Sequence, residues 1–336
     1  MAASFSEIGK VEAIDQLYRL SAYSPVSGLS YTCAKGGKVT TAARMYLEGI
    51  DFNLVYFPLK HLGYKCVVGV VGELYAALAH PRLLNVVMGV SAKLDFPQIK
   101  ELWMGITVAA KEHGFEAVNL DLQPSGNGLF ISLAATGECS LLTDKRRMAA
   151  GSKDLICVSG SLGAAFLGLQ VLERGAREFQ EKGVQPDMAP YRMLVGSYLR
   201  PELEASVVSR LEDEEIYPSY AYYVTHGLSD ALKRLSRDSG LGVKVYADKI
   251  PFEGNSFALG KELDMDPVSA AMNGGDDNRL LLVIPILHAE KFRREFQTFD
   301  IIGHLARPEV GTVLVTPEGV EFPVKAQGWP ESEDKE

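Results

Sequence analysis

The spacing of apolar residues changes period repeatedly along the chain. Ile8, Val11, Ile14, Leu17 and Leu20 recur every three or four residues, which predicts a short amphipathic helix over residues 6–20. Residues 21–38 are rich in Ser and Gly and read as loop. "KVTTAARMYLEGIDF" reads as a strand running into irregular chain. Residues 62–80, "LGYKCVVGVVGELYAALAH", are apolar almost all round and predict a long helix that His80–Pro81 ends. "LLNVVMGVSA" reads as a buried strand. "FPQIKELWMGITVAAKEHG" predicts an amphipathic helix with Pro97 in its first turn and Gly114 as its stop. Lys60 and His61 are assigned to the loop leading into the first long helix. "EAVNLDL" and "LFISLAATGEC" read as strands on either side of the turn "QPSGNG".

After Gly151 the pattern restarts. "DLICVSGS" predicts a strand, and "LGAAFLGLQVLERG" a helix approached through Gly160–Ser161. "EKGVQPDMAPY" reads as an exposed connection, then "PELEASVVSRLEDE" and "HGLSDALKRLSRDSG" as helices. "GVKVYADKIP" reads as a strand ending at Pro251, "RLLLVIPI" as a strand and "HAEKFRREFQ" as a helix. "TVLVTPEGVEFPV" reads as a hairpin around Pro317–Glu318–Gly319. The expected organisation is two α/β units, residues 1–150 and 151–330, with a charged, disordered tail at 331–336. No short-period repeat is visible.

The chain has 336 residues, which by itself suggests two domains. A net charge of −9 and the lack of a Lys/Arg-rich stripe argue against nucleic acid as a partner. The densest basic cluster, "DKRRMAAG", is large enough for one phosphate group. Four cysteines without C-x-x-C spacing exclude a zinc site of the usual kind and suit reduced thiols. No basic start precedes an apolar stretch, and no apolar run reaches the roughly 20 residues of a membrane span. A cytoplasmic protein with no membrane partner is expected.

Candidate chemistry centres on "AAMNGGDDNRLLLVIP", where Gly274 and Gly275 run into Asp276 and Asp277 ahead of an apolar strand. This stretch, together with "SEIGKVEAID", "EGIDFNLVYFPLKHLGYKCVV", "ICVSGSLGAAFLGLQVLERG", "YADKIP" and "GHLARPEVGTVLV…VKAQGW", resembles the thiamine-monophosphate kinase family of the aminoimidazole-ribonucleotide synthetase and selenophosphate synthetase superfamily. The resemblance implies a two-domain α/β fold. Its N-terminal sheet would pair across a homodimer into a barrel. It also implies ATP and Mg²⁺ as cofactors, and transfer of a phosphoryl group to thiamine phosphate. Such a reaction brings anions together and needs hard cations held by many carboxylates.

The carboxylates are largely missing. The family's Gly-Asp-Asp-Ala turn is "GLSYTCAKGGK" here, and its Thr-Thr-Asp is Thr40, Thr41, Ala42, followed by Ala43 and Arg44. Its Ser-Asp pair becomes Gly72–Glu73, one methylene longer. Asp121 is kept in "NLDL". Tyr223 and His226 stand where two further carboxylates would. Glu73 and Asp121 are therefore the remaining candidate metal ligands, and a Mg²⁺ cluster is not expected. No residue is singled out as catalytic.

The resemblance assigns Thr40, Thr41, Arg147, Gly160 and Gly163 to ATP, and Asp276, Asp277 and Trp329 to substrate. Plainer readings stand beside these. Arg147 reads as a solvated loop charge and His226 as a helix-cap histidine. Trp329 reads as a C-terminal anchor, and "NGGDDN" as a turn feeding a buried strand. Two functions remain: a catalytically degenerate thiamine-phosphate kinase homologue, or a non-catalytic protein that binds a small phosphorylated ligand or pairs with an active relative.

Overall fold

The computed structural model describes residues 29–32 and 37–329. The helix expected over 6–20, most of the loop over 21–38 and the C-terminal tail lie outside them. The strands are β1 (Leu29–Thr32), β2 (Lys38–Leu47), β3 (Ala79–Ser91), β4 (Ala117–Ser125), β5 (Phe130–Cys139), β6 (Leu155–Ser159), β7 (Tyr220–Val224), β8 (Gly242–Tyr246), β9 (Arg279–Ile284), β10 (Phe299–Ala306), β11 (Thr312–Val315) and β12 (Glu321–Pro323). They form two sheets, one in the order β1-β2-β5-β3-β4 and one in the order β12-β11-β8-β10-β6-β9-β7. The first sheet is open within the single chain, with β1 and β4 at its edges; it does not close into a barrel.

Strand alternation gives the first sheet two unlike faces. Ala42 and Tyr46 of β2, Leu133 and Ile131 of β5, and Leu84, Val86 and Met88 of β3 point to one side. This inner side is covered by helix α1 (Leu59–Ala76), which leans on helix α2 (Phe96–Glu112). Met45, Leu83 and Val87 point to the other side and are exposed. Helix α1 is buried almost all round because it also packs against β7 and β9 of the second sheet. That double contact explains an apolar sequence without a polar stripe. Helix α2 begins on the Asp95–Gln98 capping box with Pro97 in its first turn, and Gly114 follows it at φ +75°.

Helix α1 differs from expectation at both ends. It starts at Leu59, so Lys60 and His61 lie inside its first turn, and it stops at Ala76. His80 and Pro81 belong to β3 rather than to a helix end. Pro81 is tolerated because β4 pairs with β3 only from Leu83 onward, so at Pro81 only β5 is a hydrogen-bonded neighbour. A register shift between Pro81 and Leu83 absorbs the missing N–H.

The second half adds α3 (Leu141–Arg146), α4 (Ala164–Lys182), α5 (Arg192–Leu199), α6 (Val207–Asp213), α7 (Leu228–Ser239), α8 (Ser256–Leu263), α9 (Pro267–Asn273) and α10 (Ala289–Glu295). The helix read over "PELEASVVSRLEDE" shrinks to α6, and the strand read to Pro251 ends at Tyr246 in a 3-10 turn. The hairpin expected around Pro317–Gly319 is present as β11 and β12. No helix among the described residues is long and apolar enough to cross a membrane.

Candidate functional site

A cavity of about 650 Å³ opens where the end of β2 meets the C-terminal half. Arg44 and Tyr46 of β2 form one wall, and the chain after β2 adds Asp51 and Tyr56. Glu173 of α4 and Tyr198 of α5 face them. His226 and the turn Asn273–Asp276 close the remaining side.

Lys65 is the one charged side chain of α1 that is fully buried, at 2% exposure. Its ammonium forms an ion pair with the Asp276 carboxylate and lies 3.5 Å from the centroid of the Tyr198 ring. Burial pushes its pKa down, against the pull of Asp276. Asp276 is held in place by its backbone. Gly275, Asp276 and Asn278 all adopt left-handed φ values of +80°, +65° and +55°. The Asp276 N–H donates to Thr225 O at 2.7 Å, and Asn278 Nδ2 donates to Asp276 O at 2.6 Å. The glycine-rich turn thus aims its first acid at a lysine of α1.

The second acid points the other way. Asp277 accepts from Gly163 N at 2.9 Å and from Ala165 N at 3.4 Å, at the start of α4. A helix N-terminus attracts anions through its unpaired N–H groups and dipole. Here the protein's own carboxylate takes that place. Burial pushes Asp277 up to about 7, although the Gly163 N–H and Arg279 favour its charged form. Gly163, at φ +74°, is required: a Cβ there would come within 2.8 Å of Ala271 N. Arg279 donates to Ser161 O at 3.2 Å and to Glu202 O at 2.9 Å, laying its guanidinium across Gly160. Gly160 and Gly163, expected to cradle a phosphate, are therefore engaged by Arg279 and Asp277.

Two tyrosines fill hollows in α1. A Cβ on Gly72 would fall 2.1 Å from the Tyr223 ring, and one on Gly69 would fall 1.8 Å from the Tyr46 hydroxyl. The buried Tyr223 hydroxyl lies 2.9 Å from both Val68 O and Asn278 Oδ1. The Tyr223 ring fills the space that Gly72 leaves on the facing helix.

The remaining candidates are dispersed. Glu73 on α1 acts on Arg44 and Tyr223, on the inner side of the first sheet. Asp121 lies on edge strand β4, paired with Val87 and exposed on the outer side, 3.2 Å from Gln123 Nε2. The fold of the chain does not bring these two together. Thr40 is buried 3.7 Å from Cys139 Sγ, whereas Thr41 points to the outer face. Arg147 donates to Pro218 O at 2.9 Å. The Trp329 indole donates to Asp230 Oδ1 at 2.9 Å and sits beside Arg237, although Gln327 and Gly328 reach the cavity. His226 lines the cavity with Nδ1 3.0 Å from Thr225 Oγ1. Sequence reasoning missed Lys65, Tyr198, Asp51 and Glu173. Lys65 had a signal: a charge flanked on both sides by a largely apolar helical stretch requires a buried partner.

Residues 29–139, which carry the whole first sheet, match the family described as AIR synthase related protein, N-terminal domain. The chain is 23% identical over 289 residues to a hydrogenase expression/formation protein of Methanocaldococcus jannaschii, covering 83% of this chain and 81% of that one. It is 21% identical over 304 residues to thiamine-monophosphate kinase of Bacillus subtilis, covering 89% and 90%. The structure of AaThiL complexed with AMPPCP and TMP superimposes with a TM-score of 0.78 at 20% identity, covering 98% of this chain and 99% of that one. Residues 29–139 thus carry an AIR synthase-related N-terminal domain, and along most of its length the chain is similar to thiamine-monophosphate kinases and shares their fold.

Proposed function

We propose that this chain is a ligand-binding member of the family that has given up metal-dependent phosphoryl transfer. The observation that carries this reading is the ion pair between Lys65 and Asp276. A carboxylate at the cavity that would be a Mg²⁺ ligand is instead neutralised by a lysine of α1. Mg²⁺ asks for several hard oxygens in octahedral array. Asp277 turns away into the α4 N-terminus, and Glu73 and Asp121 lie on opposite sides of the first sheet. Among the described residues no three His, Cys, Asp or Glu side chains gather where a metal could be held. The donor set does not fit a cluster of Mg²⁺ ions.

The cavity suits a small phosphorylated heterocycle. Tyr56 offers a ring face with Glu173 nearby, which favours a cationic ring. Arg44 lines another wall. AaThiL was captured with TMP, and thiamine monophosphate combines a cationic ring with a phosphate. It is the reference ligand for this cavity. The outer face of the first sheet, with Met45, Leu83 and Val87 exposed, suits a second copy of the chain.

The test is conversion of thiamine monophosphate to the diphosphate by the purified chain with ATP and excess Mg²⁺. The expected outcome is no turnover above the uncatalysed background. A rate of about 1 s⁻¹ or more, the ordinary range for kinases, would overturn the reading. Tyr223→Asp with His226→Asp is expected to leave the chain inactive, because the sequence still lacks the first acidic turn.

A further inference from the structure

Arg44 is the only lysine or arginine among the described residues that line the cavity. Its side chain emerges from the inner face of β2 and passes close to Gly69 of α1. The guanidinium lies 5.2 Å from the centroid of the Tyr46 ring. Asp276 and Glu73 both act on its charge, yet Arg44 makes no hydrogen bond or ion pair with a described residue. Burial works against its charge, and Tyr46, Asp276, Tyr223 and Glu73 together raise its pKa above the usual arginine value. Arg44 therefore stays cationic.

A guanidinium carries five donors in a rigid fork. Leaving such a group at a half-buried cavity wall without acceptors is costly unless something with oxygen atoms completes it. The other cation near the cavity is already committed: Lys65 is paired with Asp276 and shielded by Tyr198. The acids do not close off Arg44. Asp276 is offset by Lys65, and Asp51 Oδ2 accepts from Leu47 N at 2.8 Å. Glu173 acts on Tyr56 and Tyr198 at the aromatic wall.

We infer that Arg44 receives the anionic group of the ligand directly, as a phosphate bound through its two terminal nitrogens without a bridging metal ion. This deepens the proposed ligand-binding role and rests on the same cavity. The guanidinium supplies in one side chain the positive charge that a metal supplies elsewhere, and its planar fork matches two oxygens of one phosphate. It cannot draw two phosphates together as an octahedral ion does, so the inference describes binding and not transfer.

The experiment titrates the full chain calorimetrically with two probes, thiamine monophosphate and inorganic pyrophosphate, each in EDTA and in millimolar Mg²⁺. Binding in EDTA within about twofold of that in Mg²⁺ is expected, together with a 10- to 100-fold loss in Arg44→Gln, the span that charge-assisted hydrogen bonds supply. Arg44→Lys, which keeps the charge but not the fork, is expected to fall between. Unphosphorylated thiamine should not distinguish wild type from Arg44→Gln. Circular dichroism confirms that each variant is folded; should Arg44→Gln not fold, Arg44→Lys and the EDTA comparison decide. Binding abolished by EDTA, or an undiminished affinity in the folded arginine variants, would overturn the inference. Pyrophosphate binding of the expected kind without thiamine monophosphate binding would uphold Arg44 and refute the heterocycle reading alone. No binding of either probe would refute both.

Discussion

Asp276 and Asp277 are neighbours in sequence with opposite tasks. Asp276 neutralises a buried lysine, and Asp277 caps a helix from inside the protein. Asp276→Asn removes one half of a buried pair and leaves Lys65 charged without a partner. We expect a loss of about 3–5 kcal/mol in urea denaturation. Asp277 gives a pH signature. Its folded pKa of about 7 lies above the ordinary 3.8, so between those values the folded state holds a proton that the unfolded state has released. Its contribution to stability is present at low pH and is lost as pH rises through about 4 to 7. Asp277→Asn should flatten that part of the stability profile, by up to about 4 kcal/mol for three units at 1.36 kcal/mol each. Arg279, which favours the ionised form, and Asp276, which opposes it, both face this group. An unchanged difference between wild type and variant from pH 4 to 7 would show that Asp277 titrates normally.

At the scale of elements, α1 holds the two sheets in one arrangement. Its glycines are notches: Gly72 receives the Tyr223 ring from β7, and Gly69 receives the Tyr46 hydroxyl from β2. In an exposed helix, Gly→Ala would stabilise by roughly 1 kcal/mol. Gly72→Ala should instead cost about 1–3 kcal/mol, because the new methyl overlaps a fully buried ring. Tyr223→Ala costs about 3–5 kcal/mol through the cavity it opens. In that background Gly72→Ala should be neutral or stabilising. Additive single and double variants in denaturation would mean that the ring moves aside instead.

At the scale of the molecule, the outer face of the first sheet sets the expected assembly. Strands β2 and β3, on either side of the central β5, show Met45, Leu83 and Val87 to solvent, with Leu83 47% exposed. Around them Thr41, Ser132 and Asn85 are short polar neighbours, while the charged Asp121 and Glu138 lie toward the margin of this face. A dimer through this face buries the apolar positions and covers the edge strands. Sedimentation at micromolar concentration should give twice the 36.6 kDa chain mass, and Leu83→Asp with Val87→Asp should give the monomer. A wild-type monomer under these conditions would refute the arrangement. The cavity lies on the inner side, so the monomeric variant should still bind thiamine monophosphate.

The chain's own sequence determined much of the fold because its periodicities are local. Alternation in "LFISLAATGEC", the Asp95–Gln98 cap with Pro97, and the turn at Pro317–Gly319 each depend on residues a few positions apart, and they appear as β5, α2 and the β11–β12 hairpin. The resemblance was legible too, through short stretches in a fixed order. The long-range pairings were not legible. Lys65 and Asp276 are 211 residues apart, and Gly163 and Asp277 are 114 apart. Only the packing of α1 against the second sheet decides that one acid meets a lysine while its neighbour enters a helix N-terminus. The same holds for the glycines of α1, which cost helix propensity in isolation and are explained only by the tyrosines that occupy them. Charge and volume exchanged across the interior leave no mark in sequence spacing, because they are settled by contact in space.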